Sequence, residues 1–96
     1  MHLAAVVACN FSNHMYALAD QILKKDGMDL SILQPLIIQT AANIKNGDPK
    51  SLQTGPAIRG DEEVIRKHEA LLQAKNPELA KLYNLLTQSI LSQRNS

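Results

Sequence analysis

The hydrophobic positions along the chain recur with the period of an α-helix in four separate stretches. Apolar residues spaced by three and four return to one side of a helix, whereas a half-buried strand needs apolar and polar residues to alternate. No stretch alternates long enough to predict a strand. The pattern therefore predicts an all-α bundle of about four main helices. The apolar lines are Val7, Phe11, Met15, Leu18 and Ile22; Leu33, Leu36, Ile37, Thr40, Ala41 and Ile44; Val64, Ile65, His68, Leu71 and Leu72; and Leu79, Leu82, Tyr83, Leu86 and Ile90.

The first predicted helix is long, from about Leu3 to Asp26, and Gly27 suits the left-handed residue that ends many helices. It carries no charge between Leu3 and Asp20 except a titratable histidine, and small or apolar side chains spread beyond its main line. Helices of this kind are normally surrounded by neighbours, so we expect it at the centre of the bundle. The apolar surface exceeds what a chain of 96 residues covers easily. This excess predicts a partner surface, occupied by a second copy or by another domain.

The second helix is predicted from about Ser31 to Asn46, with Ser31 and Gln34 at the spacing of a capping box. A long connection follows over residues 47–60 and holds three of the four glycines and two of the four prolines. Loops of this length in a small helical domain are commonly functional or disordered. This connection is therefore a candidate for part of a site.

Polar residues mark the beginnings of the last two helices. Asp61 is predicted to cap the third helix, and Asn76 followed by Pro77 is predicted to open the fourth. The polar residues after Leu91 are expected to fray. The exposed side of the third helix is expected to carry two acid–base pairs one turn apart, Glu62 with Arg66 and Glu63 with Lys67.

Composition and charge exclude several classes of partner. The net charge is +1 and the chain has three aromatic residues, so it has neither the basic surface nor the stacking platform of a nucleic-acid-binding protein. The apolar run from Leu3 to Cys9 is far shorter than the roughly 18 residues of a membrane span, and no basic residue precedes it as in a signal peptide. The single Cys9 excludes an intramolecular disulfide and fits a reducing, cytoplasmic setting.

The first helix carries a polar stripe formed by Asn10, Asn13 and His14, at helical positions i, i+3 and i+4. A structural interpretation is open, because buried amides pair across helix interfaces and a core histidine can be satisfied by neighbours. A ligand-facing interpretation is also open. An amide donates and accepts without a change in charge, and histidine serves as an acid or base near neutral pH.

The stretch "LQTGPAIRGD" in the long connection is the second candidate. Gly55-Pro56 and Gly60 impose an unusual backbone path, and Thr54 and Arg59 are suited to contact a hydroxylated or anionic ligand. Alternatively, the loop is held only by its own packing and Arg59 bridges to a helix end.

The remaining titratable residues are interpreted as structural. His68 lies on an apolar line, and Tyr16 and Tyr83 are expected in the core or at its rim. The chain has no G-x-G-x-x-G, no phosphate-binding G-x-x-x-x-G-K-[ST], no G-x-S-x-G and no zinc-type spacing of Cys and His. The chain alone is therefore expected to lack a complete active site.

Three stretches together resemble one family: "HLAAVVACNFSNHMYALADQIL" from His2, "LIIQTAANI", and "LQTGPAIRGDEEVIRKHEALL" from Leu52. The family is the uncharacterised C-terminal helical domain of NAD(P)-dependent oxidoreductases, in which a Rossmann domain precedes the helical domain. It is similar in plan to pyrroline-5-carboxylate reductase and to the helical C-terminal domains of the 6-phosphogluconate dehydrogenase type. The resemblance extends from about His2 to Leu91.

The resemblance implies that residues 1–96 form one helical domain for dimerisation and for framing a substrate cleft. NAD(P) would be bound in the full-length protein and not by this chain alone, and the long first helix would oppose the nicotinamide end of the Rossmann domain. His2, Asn10 and Thr54-Gly55-Pro56 fall on the family's motif residues, and Asn13 and His14 follow from Asn10 by geometry. The expected substrate contacts are Asn10, Asn13, Thr54, Gly55 and Arg59, with His14 as a proton donor.

Two departures from the family's relatives limit what the resemblance implies. Related β-hydroxyacid dehydrogenases place a catalytic lysine four residues before an asparagine on the corresponding helix. If that asparagine is Asn10, the lysine position is Val6, which cannot transfer a proton. The Rossmann half is absent from this sequence, so the chain is expected to be either a domain of a longer protein or a solitary form. The alternative function is a non-enzymatic, homodimeric interaction module. Neither the substrate nor the choice between NAD and NADP follows from the sequence.

Overall fold

The computed structural model describes residues 1–94, which are helical and contain no strand, so the predicted all-α class is confirmed. The chain divides into two compact units, Met1–Ala42 and Asn43–Ser96. None of the helices in residues 1–94 combines the length and hydrophobicity that crossing a membrane requires. The α-helices are α1 (His2–Ala5), α2 (Phe11–Lys25), α3 (Gln34–Ala42), α4 (Pro56–Arg59), α5 (Glu62–Lys75) and α6 (Pro77–Arg94).

The long first helix has an interruption that the sequence pattern does not indicate. A π-helical segment, Val6–Asn10, joins α1 to α2, and the amide of Phe11 donates to the carbonyl of Val6, five residues back. The backbone dihedral angles remain right-handed helical on both sides of the segment. The first helix is therefore continuous from His2 to Lys25, with one wide turn near its beginning.

The first unit ends α2 as predicted but begins α3 differently. Gly27 has φ of 77°, the left-handed conformation expected just after a helix. The predicted capping box of Ser31 and Gln34 is wrong. Asp29 caps a 3₁₀ turn, Leu30–Leu33, by accepting a hydrogen bond from the amide of Ser31, and α3 begins only at Gln34. Asp29 and Ser31 are both good capping residues, and Asp29 has the extended backbone that a cap needs.

The apolar line of the first helix is not buried by this chain, although this helix was expected to be surrounded by neighbours. No residue of the first unit is buried. Val7 and Phe11 expose 54% and 59% of their surface, and Leu36 on α3 exposes 63%. A unit of this size with no buried side chain has little hydrophobic stabilisation of its own.

The second unit begins with a short 3₁₀ turn, Asn43–Lys45, where the second helix had been expected to continue to Asn46. The long connection over residues 47–60 is more structured than the sequence indicates, because it contains the four-residue helix α4. Gly55, with φ of 98°, immediately precedes this helix, and Gly60, with φ of 68°, ends it. Both conformations are ones that glycine adopts much more readily than other residues.

The beginnings of α5 and α6 are confirmed. The Asp61 carboxylate accepts a hydrogen bond from the amide of Val64 at 3.3 Å, and the Asn76 side chain accepts one from the amide of Leu79 at 3.2 Å. Fraying after Leu91 is wrong for the part that the structure describes, because α6 continues to Arg94. The expected fraying of Asn95 and Ser96 falls outside the described residues. The two predicted surface pairs are present, with Arg66–Glu62 at 3.9 Å and Lys67–Glu63 at 3.4 Å.

The core of the second unit is small and lies where α6 packs against α4 and α5. Its buried residues are Ala57, Leu79, Ala80 and Thr87. Of the predicted apolar lines on α5 and α6, only Leu79 is buried. The others are half-buried or exposed, with Leu71 at 55% and Leu86 at 48% exposure. The spacing of the apolar residues predicted the correct face of α6, but the chain covers less of this face than expected.

Candidate functional site

The six predicted site residues divide between the two units. Asn10, Asn13 and His14 lie on the long first helix, and Thr54, Gly55 and Arg59 lie in and around α4. Gly55 is half-buried and the other five are exposed. All five side chains are therefore accessible to a ligand, and the expectation that both groups border one cleft stays a prediction.

Asn10 is the last residue of the π-helical segment, and Asn13 and His14 follow one turn later in α2. Single π-helical turns within α-helices occur often at functional sites. The residue pattern did not predict the π-helical turn. Its position at Asn10 is a second reason to consider Asn10 a candidate site residue. Val6, at the position of the relatives' lysine, begins the same segment and is half-buried.

A groove of about 500 Å³ runs along α2 in the first unit and includes Asn13. On the α2 side it is lined by Asn13, Tyr16, Asp20 and Lys24, which follow one another at helical spacing. The opposite side is formed by Asp29, Ser31 and Gln34, at the beginning of α3. Asn10 and His14 do not line this groove.

Asp20 holds the two sides of this groove together. One of its oxygens accepts the amide of Leu30 at 2.9 Å, and the other lies 2.8 Å from the ammonium of Lys24. The hydrogen bond from Lys24, with that from Leu30, lowers the pKa of the Asp20 carboxyl, and the Asp20 carboxylate raises the pKa of Lys24. The four-residue spacing of Asp20 and Lys24 could have indicated this pair, whereas the contact with Leu30 depends on the fold.

Asp29, on the opposite side, is also engaged. It accepts the amide of Ser31 at 2.9 Å and the Ser31 hydroxyl, and these hydrogen bonds lower the pKa of its carboxyl. Both carboxylates of the groove are therefore ionised at neutral pH and already bonded within the chain.

The Thr54–Arg59 stretch forms a compact turn rather than an open loop. Gly60 and Asp61 close α4, with the amide of Asp61 donating to the carbonyl of Pro56 at 2.9 Å, as in a Schellman motif. Asp61 then caps α5, so one short segment ends one helix and begins the next. This geometry leaves Thr54 and Arg59 exposed on either side of α4.

Arg94, near the end of α6, contacts the α4 turn, and the sequence did not predict this contact. Its guanidinium donates to the carbonyl of Ile58 at 3.2 Å and borders a groove of about 440 Å³ beside the α4 turn, together with Ser51 and Gln53. Since the residues after Leu91 were expected to fray, no signal in the sequence assigned Arg94 a position.

A family model for a domain of unknown function, DUF2520, matches residues 1–90. The chain belongs to the DUF2520 family. The family resemblance inferred from the three sequence stretches is thereby confirmed. Comparison with functionally curated proteins gives no match.

A solved structure from Bacteroides fragilis, named a "putative NADP oxidoreductase", is similar to this DUF2520 chain. The two share 50% sequence identity with a TM-score of 0.91. The match covers 95% of this chain and 35% of the other. The DUF2520 chain therefore spans about a third of the length of that protein.

The titratable residues of α5 and α6 in the DUF2520 chain form a separate polar seam. The Nδ1 of His68 lies 2.9 Å from the Tyr83 hydroxyl, with the two rings edge to face. The Asn84 amide donates to Glu69 at 3.1 Å. Partial burial, and secondarily the Glu69 carboxylate, raises the pKa of Tyr83. His68 is exposed rather than buried, but its bond to Tyr83 joins two helices, as its structural interpretation expected.

Metal binding finds no support in the described residues. Within residues 1–94, no three His, Cys, Asp or Glu side chains are grouped so that they could hold a metal ion. The grooves of the DUF2520 chain are lined by amides, hydroxyls and charged groups, all of which can form hydrogen bonds.

Proposed function

We propose that this chain is the C-terminal dimerisation and substrate-framing domain of a cytoplasmic NADP-dependent oxidoreductase. The observation that carries the proposal is the match to one third of the Bacteroides fragilis protein, at 50% identity over 95% of this chain. The name of that protein supplies both the reaction class and the cofactor. The Rossmann domain of the complete protein is the first expected partner.

The cofactor is held by residues outside this chain. Dinucleotides are bound where a strand leads through a glycine-rich turn into a helix, and the described residues contain no strand. When bound, the nicotinamide supplies the hydride that reduces the substrate. The helical domain contributes orientation and the exclusion of water.

Each predicted site residue receives one role in this proposal. Asn10 and Asn13 orient the substrate from the first helix, and Thr54 with the backbone at Gly55 orients it from the α4 turn. His14 donates a proton to the atom that becomes negative as hydride arrives, and Arg59 contacts an anionic group. The exposure of Asn10, Asn13, His14, Thr54 and Arg59 supports these roles.

The uncovered apolar face of the first helix supports dimerisation. We call Leu3, Val7, Phe11 and Ile22 the apolar stripe; all four remain exposed in this chain. Large contiguous apolar surfaces mark interaction sites in soluble proteins. A second copy that lays its own stripe on this one would bury both by the same contacts, as in the two-fold dimers that dominate homo-oligomers.

The test uses the complete natural protein that carries this chain. NADPH consumption would be followed with a panel of imine and keto compounds, and the chain alone would be run beside it. We expect turnover with the complete protein and none with the chain alone. Absence of turnover across the panel, with the dimer intact, would favour the alternative of a non-enzymatic interaction module.

Two substitutions separate the roles of the first-helix residues. His14→Gln should lower kcat by about 10²–10⁴-fold and remove one limb of the pH–rate profile, because it deletes a proton donor. Asn10→Ala should act mainly on KM. Gln21→Ala, an exposed change on the same helix, is the matched control. Unchanged kinetics in both variants would exclude the polar stripe from the site.

A further inference from the structure

The groove beside Asn13 contains two classes of polar group, and only one of them is available to a ligand. The charged groups are used within the chain. Asp20 is bonded to Lys24 and to the amide of Leu30, and Asp29 is bonded to Ser31. These contacts shape the groove and hold its two sides together.

The uncharged groups are available. The side chains of Asn13, Tyr16 and Gln34 have no hydrogen-bond partner among residues 1–94, and all three line the groove. Asn13 and Gln34 are exposed and Tyr16 is half-buried. Each carboxamide offers a donor and an acceptor side by side, and the phenol offers one of each.

The charge balance of the groove excludes one class of ligand. Two carboxylates face a single ammonium, so a carboxylate or phosphate entering the groove would meet net negative charge. The chemistry that complements free amides without a charge cost is another uncharged amide, whose donor and acceptor pair with theirs. The ring of Tyr16 and the side chains of Ala17 and Leu30 add apolar surface for the rest of such a ligand.

We propose that this groove binds an uncharged carboxamide, with Asn13, Tyr16 and Gln34 as its hydrogen-bonding residues. Such a group can belong to the substrate or to the nicotinamide ring of the cofactor. Assigning it to either of them rests on the proposed function, whereas the binding itself does not. Tyr16 and Gln34 thereby become binding residues that the sequence did not indicate.

The experiment compares ligands that differ only in the group at issue. The ¹⁵N-labelled chain would be titrated with acetamide against acetate, and with nicotinamide against nicotinate, while its NMR spectrum is recorded. We expect saturable shifts of the Asn13 and Gln34 side-chain signals with the two amides and none with the two carboxylates. Acetamide alone being bound would assign the site to an aliphatic amide, and preference for nicotinamide would assign it to an aromatic one.

Variants test the residues. Gln34→Ala and Tyr16→Phe should each weaken amide binding by about tenfold, the effect of one lost hydrogen bond. Gln21→Ala, on α2 but outside the groove, should leave amide binding unchanged. Backbone amide signals report whether each variant is folded, and Tyr16→Phe removes only a hydroxyl.

Three results would overturn the proposal: equal binding of amides and carboxylates, binding of methylammonium in place of amides, or no response from groove residues to any probe. NADPH turnover is measured separately on the complete protein. Amide binding without turnover would therefore refute the proposed function and leave this site standing, and the reverse result would refute only the site.

Discussion

At the scale of single residues, Asp20 connects two helical segments of the first unit through one side chain. Its carboxylate accepts from the amide of Leu30, ten residues along the chain, and pairs with Lys24. In a unit without buried residues, such polar contacts carry more of the local order than they would above a large core. The ionisation of Asp20 therefore matters for the stability of α2 against α3.

The lowered pKa of the Asp20 carboxyl predicts how the stability of the chain depends on pH in acid. Because the pKa of Asp20 is lowered in the folded chain, its contribution is present above the unfolded value of about 3.9 and is lost as pH falls through the folded pKa. Asp20→Asn should therefore lower the urea midpoint near neutral pH and flatten the fall of that midpoint below about pH 5, as followed by circular dichroism. Asp26→Asn, which removes an exposed carboxylate just after the same helix, is the matched control. An unaltered slope in Asp20→Asn would contradict this role.

The raised pKa of Tyr83 predicts a shift in its alkaline titration. Burial, with the nearby Glu69, raises its pKa, so the neutral phenol is stabilised in the folded chain. In a Tyr16→Phe background, ultraviolet titration should place the ionisation of Tyr83 above its ordinary value of about 10. Glu69→Gln should lower the midpoint only in part, because burial is the larger cause. In the Tyr16→Phe variant unfolded in urea, Tyr83 should ionise at the ordinary value. An equal midpoint in the folded variant would contradict the raised pKa of Tyr83.

At the scale of elements, local chemistry predicted some boundaries well and failed at others for identifiable reasons. Asp61 and Asn76 cap their helices as expected, because a cap depends on residues within one turn. At the start of α3, two capping residues compete, and the choice of Asp29 over Ser31 depends on how the preceding turn is held. The π-helical segment has no residue signature, so only the structure reveals it.

The candidate site was predictable to a similar extent. The unusual backbone at Gly55 follows from residue type and spacing, whereas the sequence left open whether Asn13 is buried or exposed. The groove does not follow from them, because it needs Gln34 and Tyr16 to line the same space, and the periodicity of each helix does not show how two segments are placed. Which apolar residues are buried was the least predictable feature. The same apolar spacing is found on a face that the chain itself covers and on a face that a partner covers.

Gly55 provides a test of the α4 turn. Its φ of 98° and ψ of 175° lie in a region essentially restricted to glycine, and a Cβ there would meet no atom within 4 Å. Gly55→Ala should therefore destabilise the second unit by about 1–3 kcal/mol through backbone strain alone, measured by urea unfolding. Gly47→Ala, where φ is not positive, is the matched control and should cost less. Equal effects would show that strain at Gly55 is unimportant.

At the scale of the whole molecule, the chain spans 35% of the length of the Bacteroides fragilis protein that it matches, and much of its apolar surface is uncovered. The apolar stripe on the first helix and the exposed Leu36 on α3 are unusual for residues of their size. They are what a domain presents when its neighbours supply part of its core. Stability measured on this chain alone is therefore expected to depend on its concentration.

The apolar stripe predicts the dimer contact. Phe11→Glu places a charge at its centre, and we expect it to weaken self-association by at least about 100-fold, as for a residue central to an interface. Light scattering and sedimentation over a concentration series would measure this. Helical content should be retained, since Phe11 is 59% exposed. Gln21→Glu introduces the same charge elsewhere on α2 and should remain dimeric; a dimeric Phe11→Glu would place the contact elsewhere.

The wide turn at Val6–Asn10 determines which side chains at the start of the protein belong to that contact. In a regular α-helix, residues four apart drift around the axis by about 40° per step, so Leu3, Val7 and Phe11 would spiral away from one another. A π turn advances less per residue and offsets this drift, which keeps the three in line. Removing one residue from the segment would restore ordinary helical winding and place Leu3 seven residues from Phe11, about 700° around the axis, so the two would stay on the same side of the helix. The wide turn therefore accommodates one additional residue while Leu3 keeps its place beside Phe11.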